Sequence, residues 1–116
     1  MSIESEVTSK GILVIKLLGR MQLQELQGME DKFKTLIKGR NAVIVDLSGL
    51  VVLFSMGLRA LIQSAQTLEL KGGRMVLMAP TKDVLAVLKA SGVSDLIAIC
   101  EDQEEAESVV LRTSRP

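Results

Sequence analysis

At 116 residues the chain is long enough for one domain with a substantial core, and that core has to be aliphatic: 47% of the residues are hydrophobic but only 2% are aromatic. Fourteen basic and fourteen acidic residues cancel, and with two Phe and neither Tyr nor Trp there is little to stack on bases, so nucleic acid and steering to an anionic membrane are excluded as expectations. One cysteine, Cys100, leaves no internal disulfide, and the absence of histidine removes the commonest general base, Ser-His and Cys-His catalysis and the usual structural zinc sites.

No paired carboxylates stand out in their place, so the chain reads as a non-enzyme with no catalytic residues, no metal site and no cofactor. The start "MSIESEVTSK" is polar and acidic, unlike a signal peptide, and no apolar run approaches the ~20 residues a bilayer span needs. A cytoplasmic protein without membrane insertion is the expectation.

Ile3, Ser5 and Val7 alternate with Glu4, Glu6 and Thr8, the period of a half-exposed edge strand. "SKG" turns the chain, and "ILVIKLL" from Ile12 to Leu18 is a buried strand paired to the first, ended by Gly19. Residues 21–38 place Leu23, Leu26, Met29, Phe33, Leu36 and Ile37 near helical spacing, with Glu30 and Lys34 as an i,i+4 pair. Gly28 weakens that helix by ~1 kcal/mol relative to alanine, which points to a close neighbour there.

"AVIVDL" is the continuous apolar run of a strand covered on both faces, and "VVLF" continues extended to Ser55. Leu58, Leu61, Ile62, Ala65 and Leu68 then give an amphipathic helix stopped by Gly72 and Gly73. "RMVLMA" is a strand, Thr81 caps the helix carrying Val84, Leu85, Val87 and Leu88, and Gly92 is its left-handed stop. "LIAI" is an outer strand, and "EDQEEAESVVLR" a last helix, acidic at its start and basic at its end as the dipole prefers. The expected fold is α/β: a mixed sheet of four to five strands with about four helices, opening with an antiparallel hairpin, in one domain over residues 1–116.

Ser55 separates an apolar strand from a helix. Two readings follow from the residues: an N-cap contributing ~1 kcal/mol, or a switch placed at the junction.

The frame "VIVDLSGLVVLFSMGLRALI … KGGRMVLMAP … VLKASGVSDLI" resembles a STAS domain of the anti-sigma factor antagonist type, from about Ile3 to the acidic C-terminal helix. The resemblance implies the STAS fold and a regulator that works by binding in a partner-switching pathway of transcription. It implies as partners an anti-sigma factor that is also an ATP-binding serine kinase, and a phosphatase. It also makes Ser55 the phospho-acceptor and Gly57 the glycine of the motif. The family pattern, close to Asp-Ser-Ser/Thr/Ala-Gly, has Phe54 here in place of its aspartate and Met56 in place of the small residue. A second family position, Gly-x-x-Asp, reads "GRMQ" and leaves Gln22 where an aspartate is usual. The partner-binding surface expected from this comparison comprises Gln22, Leu53, Phe54, Met56, Gly57, Leu58 and Arg59. Whether Phe54 points outward separates an enlarged recognition patch from a repacked core.

Two other functions stay open beside this one. A STAS scaffold or adaptor, in a signalling assembly or lipid-transport complex, would need no phosphate; a homodimer is compatible with either. A nucleotide-binding module would use "KGGR" (71–74) or the Ser55 helix start, although "KGGR" lacks the spacing of a P-loop and suits a helix-ending turn. Cys100 precedes an acidic cluster that should raise its pKa, the opposite of a reactive thiol. The six Met are expected mainly to fill core gaps, and "EDQEE" to be a solvated helix start.

Overall fold

The computed structural model describes residues 2–20 and 23–113, with side chains described for 2–20 and 28–112. Gln22 lies outside the described residues, as do the side chains of Leu23 and Leu26. The elements run β1 (Ser2–Val7), β2 (Leu13–Arg20), α1 (Leu23–Ile37), β3 (Ala42–Asp46), β4 (Leu50–Val52), α2 (Ser55–Leu70), β5 (Arg74–Met78), α3 (Lys82–Ala90), a single 3-10 turn (Val93–Asp95), β6 (Ala98–Cys100) and α4 (Gln103–Thr113). β1 and β2 form the antiparallel hairpin, and the sheet continues in parallel as β2-β3-β5-β6. The extended "VVLF" segment contributes a sixth strand, the three-residue β4, which pairs with the far end of β2.

β3 sits in the middle of the sheet, and its alternate side chains belong to different cores, which is why "AVIV" carries no polar residue. Val43 and Val45 face α1, α2 and α3, packing with Phe33, Leu61, Leu68, Val84 and Leu88. Ala42 and Ile44 face the other side, where α4 supplies Ala106 and Val110. Three helices on one face and one on the other give a layered α/β domain. Met29, Met75 and Met78 are buried in these cores, as the shortage of aromatics requires, whereas Met56 is exposed.

Two glycine expectations change. Gly19 does not end β2; at φ +83° it marks the register shift where β2 exchanges β3 for β4 as its partner. Gly28 is exposed, and a Cβ placed on it meets nothing within 4 Å, so no close neighbour explains it. The close approach lies instead at Gly73, whose Cβ position is 2.5 Å from the Asn41 carbonyl oxygen. There the backbone starts of β3 and β5 touch, joined by the Arg74 N–H donating to Asn41 O at 2.7 Å. The last helix is held at its entrance by Asp102, whose carboxylate accepts from the Glu105 N–H at 2.9 Å, and Glu105 in turn accepts from the Glu101 N–H at 3.1 Å.

Candidate functional site

The site is made by the way the chain leaves β3. Asp46 ends the strand, and its carboxylate accepts from both the Ser48 N–H (2.9 Å) and the Ser48 hydroxyl (2.7 Å), closing an Asx turn. Gly49 follows; a Cβ there would press only on the end of the Leu18 side chain, which can shift aside. Its carbonyl accepts from the Gly19 N–H at 2.8 Å, and this contact brings the chain back to the far end of β2 as β4. β4 is too short to bury both faces: Leu50 is fully covered, Val51 is 48% exposed, and Leu53 is buried again just before the helix.

α2 begins at Ser55, so Ser55 is not the N-cap. That position belongs to Phe54, in extended conformation (φ −95°, ψ 163°), whose carbonyl takes the first helical bond from the Leu58 N–H at 3.0 Å. Phe54 has no side-chain acceptor, and α2 has no acidic residue in its first turn. The helix therefore starts with its first-turn N–H groups lacking a side-chain cap and its positive dipole end uncompensated. Ser55 occupies the first helical position with an exposed side chain. The cap interpretation of this serine fails on geometry: a hydroxyl bonds back to the second or third N–H only from the preceding position.

Phe54 and Met56 flank it and are 45% and 43% exposed. Phe54 thus points outward in part, and Val51 extends the same short stretch of exposed apolar residues. Of the other residues expected here, Leu53 and Gly57 are buried, Leu58 is half-buried against the core, and Arg59 is exposed one turn beyond Ser55. These six come together at the β4–α2 junction. Val51 was not anticipated, because within "VVLF" nothing in hydrophobicity distinguishes a residue covered by a partner strand from one left open.

Glu30 was read along its own helix, towards Lys34, but it faces α2. Its carboxylate lies 4.0 Å from the Arg59 guanidinium, with side chains 42% and 74% exposed. Gln63 completes the seam: in the amide orientation its neighbours require, it donates to Glu30 at 2.6 Å and accepts from Arg59 Nε at 3.3 Å.

The remaining candidates resolve as structure. In "KGGR" the Lys71 and Gly73 N–H groups both donate to Leu68 O, the Gly72 N–H donates to Glu69 O, and Gly72 lies at φ +81°. The amides that would cradle a phosphate are spent on ending α2. Cys100 is buried, and its pKa is raised first by burial, then by a hydrogen bond and charge from Glu105 and by Asp102. Among the described residues no cluster of metal-ligating side chains forms, and no helix is long and apolar enough to cross a membrane.

A mixed sheet opened by an antiparallel hairpin, with three helices on one face and one on the other and a short fourth strand leading into α2, defines an α/β domain of the STAS type. The chain belongs to the STAS domain family, whose model matches residues 5–106. Its fold is that of the anti-sigma factor antagonist SpoIIAA in its unphosphorylated form: 23% identity, TM-score 0.80, covering 96% of this chain and 97% of that one. The phosphorylated form of SpoIIAA, the Bacillus cell fate determinant, superposes with a TM-score of 0.72 at 21% identity over 93% and 99% of the two chains. An anti-sigma factor antagonist from Mycobacterium paratuberculosis gives a TM-score of 0.82 at 20% identity, covering 95% of each chain. At such identities the likeness establishes the fold. No curated protein sequence matches the chain.

Proposed function

We propose that this chain is an anti-sigma factor antagonist-type regulator that acts by protein binding, not catalysis, and that its partner-facing surface is the β4–α2 junction. In this reading an anti-sigma factor that is also an ATP-dependent serine kinase binds over Phe54, Met56 and the first turn of α2. The kinase transfers the γ-phosphoryl group of ATP to Ser55 Oγ, releasing ADP, while the hydroxyl proton passes to a base on the kinase; a phosphatase hydrolyses the ester and resets the cycle.

One observation carries the reading: an exposed serine at the first position of a helix with no side-chain cap and no first-turn acid, set between two exposed apolar side chains. The helix start favours a dianion at Ser55. The same charge, roughly −1.5 to −2, would oppose burial of the flanking apolar residues under a partner. Binding and phosphorylation therefore exclude each other by proximity alone.

A second reading keeps the surface and drops the phosphate. It is favoured by the exposure of Phe54 and Met56, which stand where the family pattern has an acid and a small residue and which give an adaptor an apolar foothold independent of Ser55. The deciding experiment is a pull-down from the native host with tagged protein, with partners and the state of Ser55 read by mass spectrometry. A kinase-type anti-sigma factor together with partly phosphorylated Ser55 supports the first reading. The same partner with Ser55 always bare indicates a constitutive antagonist, and transporter or scaffold subunits with bare Ser55 refute the sigma-factor pathway.

A further inference from the structure

We propose that Arg59 is the counter-ion of a phosphate carried by Ser55, and that phosphorylation draws Arg59 away from Glu30, so that the mark on α2 is also felt at the seam between α1 and α2. The proposal rests on the phosphorylation reading and names how that site is regulated.

The placement follows from the helix. Ser55 and Arg59 are one turn apart, so their side chains leave the same face of α2 as i and i+4, and both are exposed. With no acidic residue in the first turn of α2, no carboxylate on the serine's own turn competes for the guanidinium. Its present partner is Glu30 on α1, and the hold is weak: 4.0 Å, one carboxylate, and side chains 74% and 42% exposed. Exposed pairs of this kind contribute little to stability. A phosphoserine offers nearly twice the charge and three acceptor oxygens, which a planar guanidinium can engage through two N–H groups at once. The competition is between a distant single carboxylate and a dianion on the same helix face, and the dianion wins.

The seam has two further members that feel the loss. Gln63 donates to Glu30 and accepts from Arg59, bridging the pair. When Arg59 swings to Ser55, Gln63 keeps its bond to Glu30 but loses its donor, and Glu30 is left without a cation on α2. Phosphorylation thus removes the counter-ion from the Glu30 carboxylate without touching α1, one helix away from the modified residue. A partner spanning both helices meets a different surface in the two states.

The test places phosphoserine at position 55 by genetic encoding, so it does not depend on any kinase, and follows the phosphate by phosphorus NMR against pH. Three forms are compared: the otherwise unaltered chain, Arg59→Gln and Glu30→Gln. Losing Arg59 should raise the midpoint of the second phosphate ionisation by about half a pH unit, from one charge at contact distance in a largely aqueous setting. Losing Glu30 should shift it in the opposite direction by a smaller amount, because Arg59 is then no longer shared; Arg59→Lys should restore part of the first shift. A midpoint indifferent to Arg59→Gln overturns the counter-ion role and leaves the helix N–H groups as the whole site. A shift with Arg59→Gln but none with Glu30→Gln overturns the transfer from Glu30. Failure to find phosphate on Ser55 in the host would refute the proposed pathway while leaving these midpoints unchanged, so the two ideas fail separately.

Discussion

Phe54 holds the N-cap position of α2 and, in the proposed reading, faces the partner, and a pair of substitutions separates the two roles. As the N-cap of α2 it is a poor choice, since it offers no acceptor, yet 45% exposure means that roughly half of the residue is covered. A phenylalanine has about 200 Å² to bury, so about 100 Å² is at stake; at ~25 cal/mol per Å² that is at most about 2.5 kcal/mol, and nearer 2 against a realistic unfolded chain. Phe54→Ala should therefore cost about 2 kcal/mol. Phe54→Asp forfeits the same contacts but adds an acceptor for the free first-turn N–H groups and a negative charge at the positive end of the helix. Together these return about 1–2 kcal/mol. The aspartate variant should be more stable than the alanine variant and within about 1 kcal/mol of the parent, although both lose the apolar side chain a partner would grip. Urea unfolding gives the stabilities, with melting temperatures moving by roughly 4 °C per kcal/mol at this size. Partner capture from the host should drop for both variants. If Phe54→Asp proves no more stable than Phe54→Ala, the capping geometry is wrong. If both retain full partner binding, the β4–α2 junction is not the contact surface.

Gly28→Ala should stabilise by about 0.5–1 kcal/mol, because the site is open and helical, while Gly73→Ala should destabilise by about 1–3 kcal/mol, because its Cβ position lies against the Asn41 backbone; equal melting temperatures for the two would contradict the packing described. Thr81→Ala removes the acceptor of the Val84 N–H at 3.3 Å and should cost about 1 kcal/mol in the same assay. The Cys100 thiol is raised by burial, so the unfolded chain ionises first: its contribution is complete below the ordinary thiol pKa and is lost as pH rises through the folded value. Stability of the parent should therefore fall more steeply than that of Cys100→Ala at alkaline pH, and thiol reagents should label the native chain slowly. Glu107 shows the opposite sign: bonds from Gln103 (2.9 Å) and Lys10 (3.0 Å) lower its pKa, so Lys10→Gln should raise it in an NMR titration.

Most of the fold was legible because its signals are local. Two-sided burial of β3 appears as an uninterrupted apolar run, and Thr81 and Gly92 act at their helix ends through bonds to residues three or four positions away. What failed was anything set by a distant partner. Gly28 and Gly73 look alike as interruptions, and only the meeting of β3 with β5 makes the second one obligatory. Gly19 reads as a stop, yet β2 runs through it because β4 returns to pair there. Glu30 has Lys34 one turn along α1, but the packing of α1 on α2 decides its partner. At the site, the cluster from Leu53 to Arg59 was legible as one contiguous segment; that Val51 joins it, and that the helix starts one residue too late for Ser55 to cap it, required the backbone.

That one-residue offset is the main argument for the proposed phosphorylation of Ser55. A serine serving as N-cap spends its hydroxyl on the helix, and attaching a phosphate there sacrifices the cap. At the first helical position the hydroxyl has no structural duty, so modification costs the fold little and the phosphate gains the N–H groups that Phe54 leaves uncapped. An aspartate at position 54 would occupy those same groups and stand beside the incoming dianion. Phenylalanine there leaves the helix end open to the phosphate and supplies apolar surface for a partner. In the proposed reading the two departures from the family pattern that flank Ser55 act in one direction: Phe54 removes a competing charge, and both enlarge the apolar surface whose burial a phosphate would oppose. Phosphoserine encoded at position 55 should accordingly leave the melting temperature unchanged or raised, while partner binding falls. A phosphoserine chain that melts several degrees lower would show the hydroxyl to be structural after all.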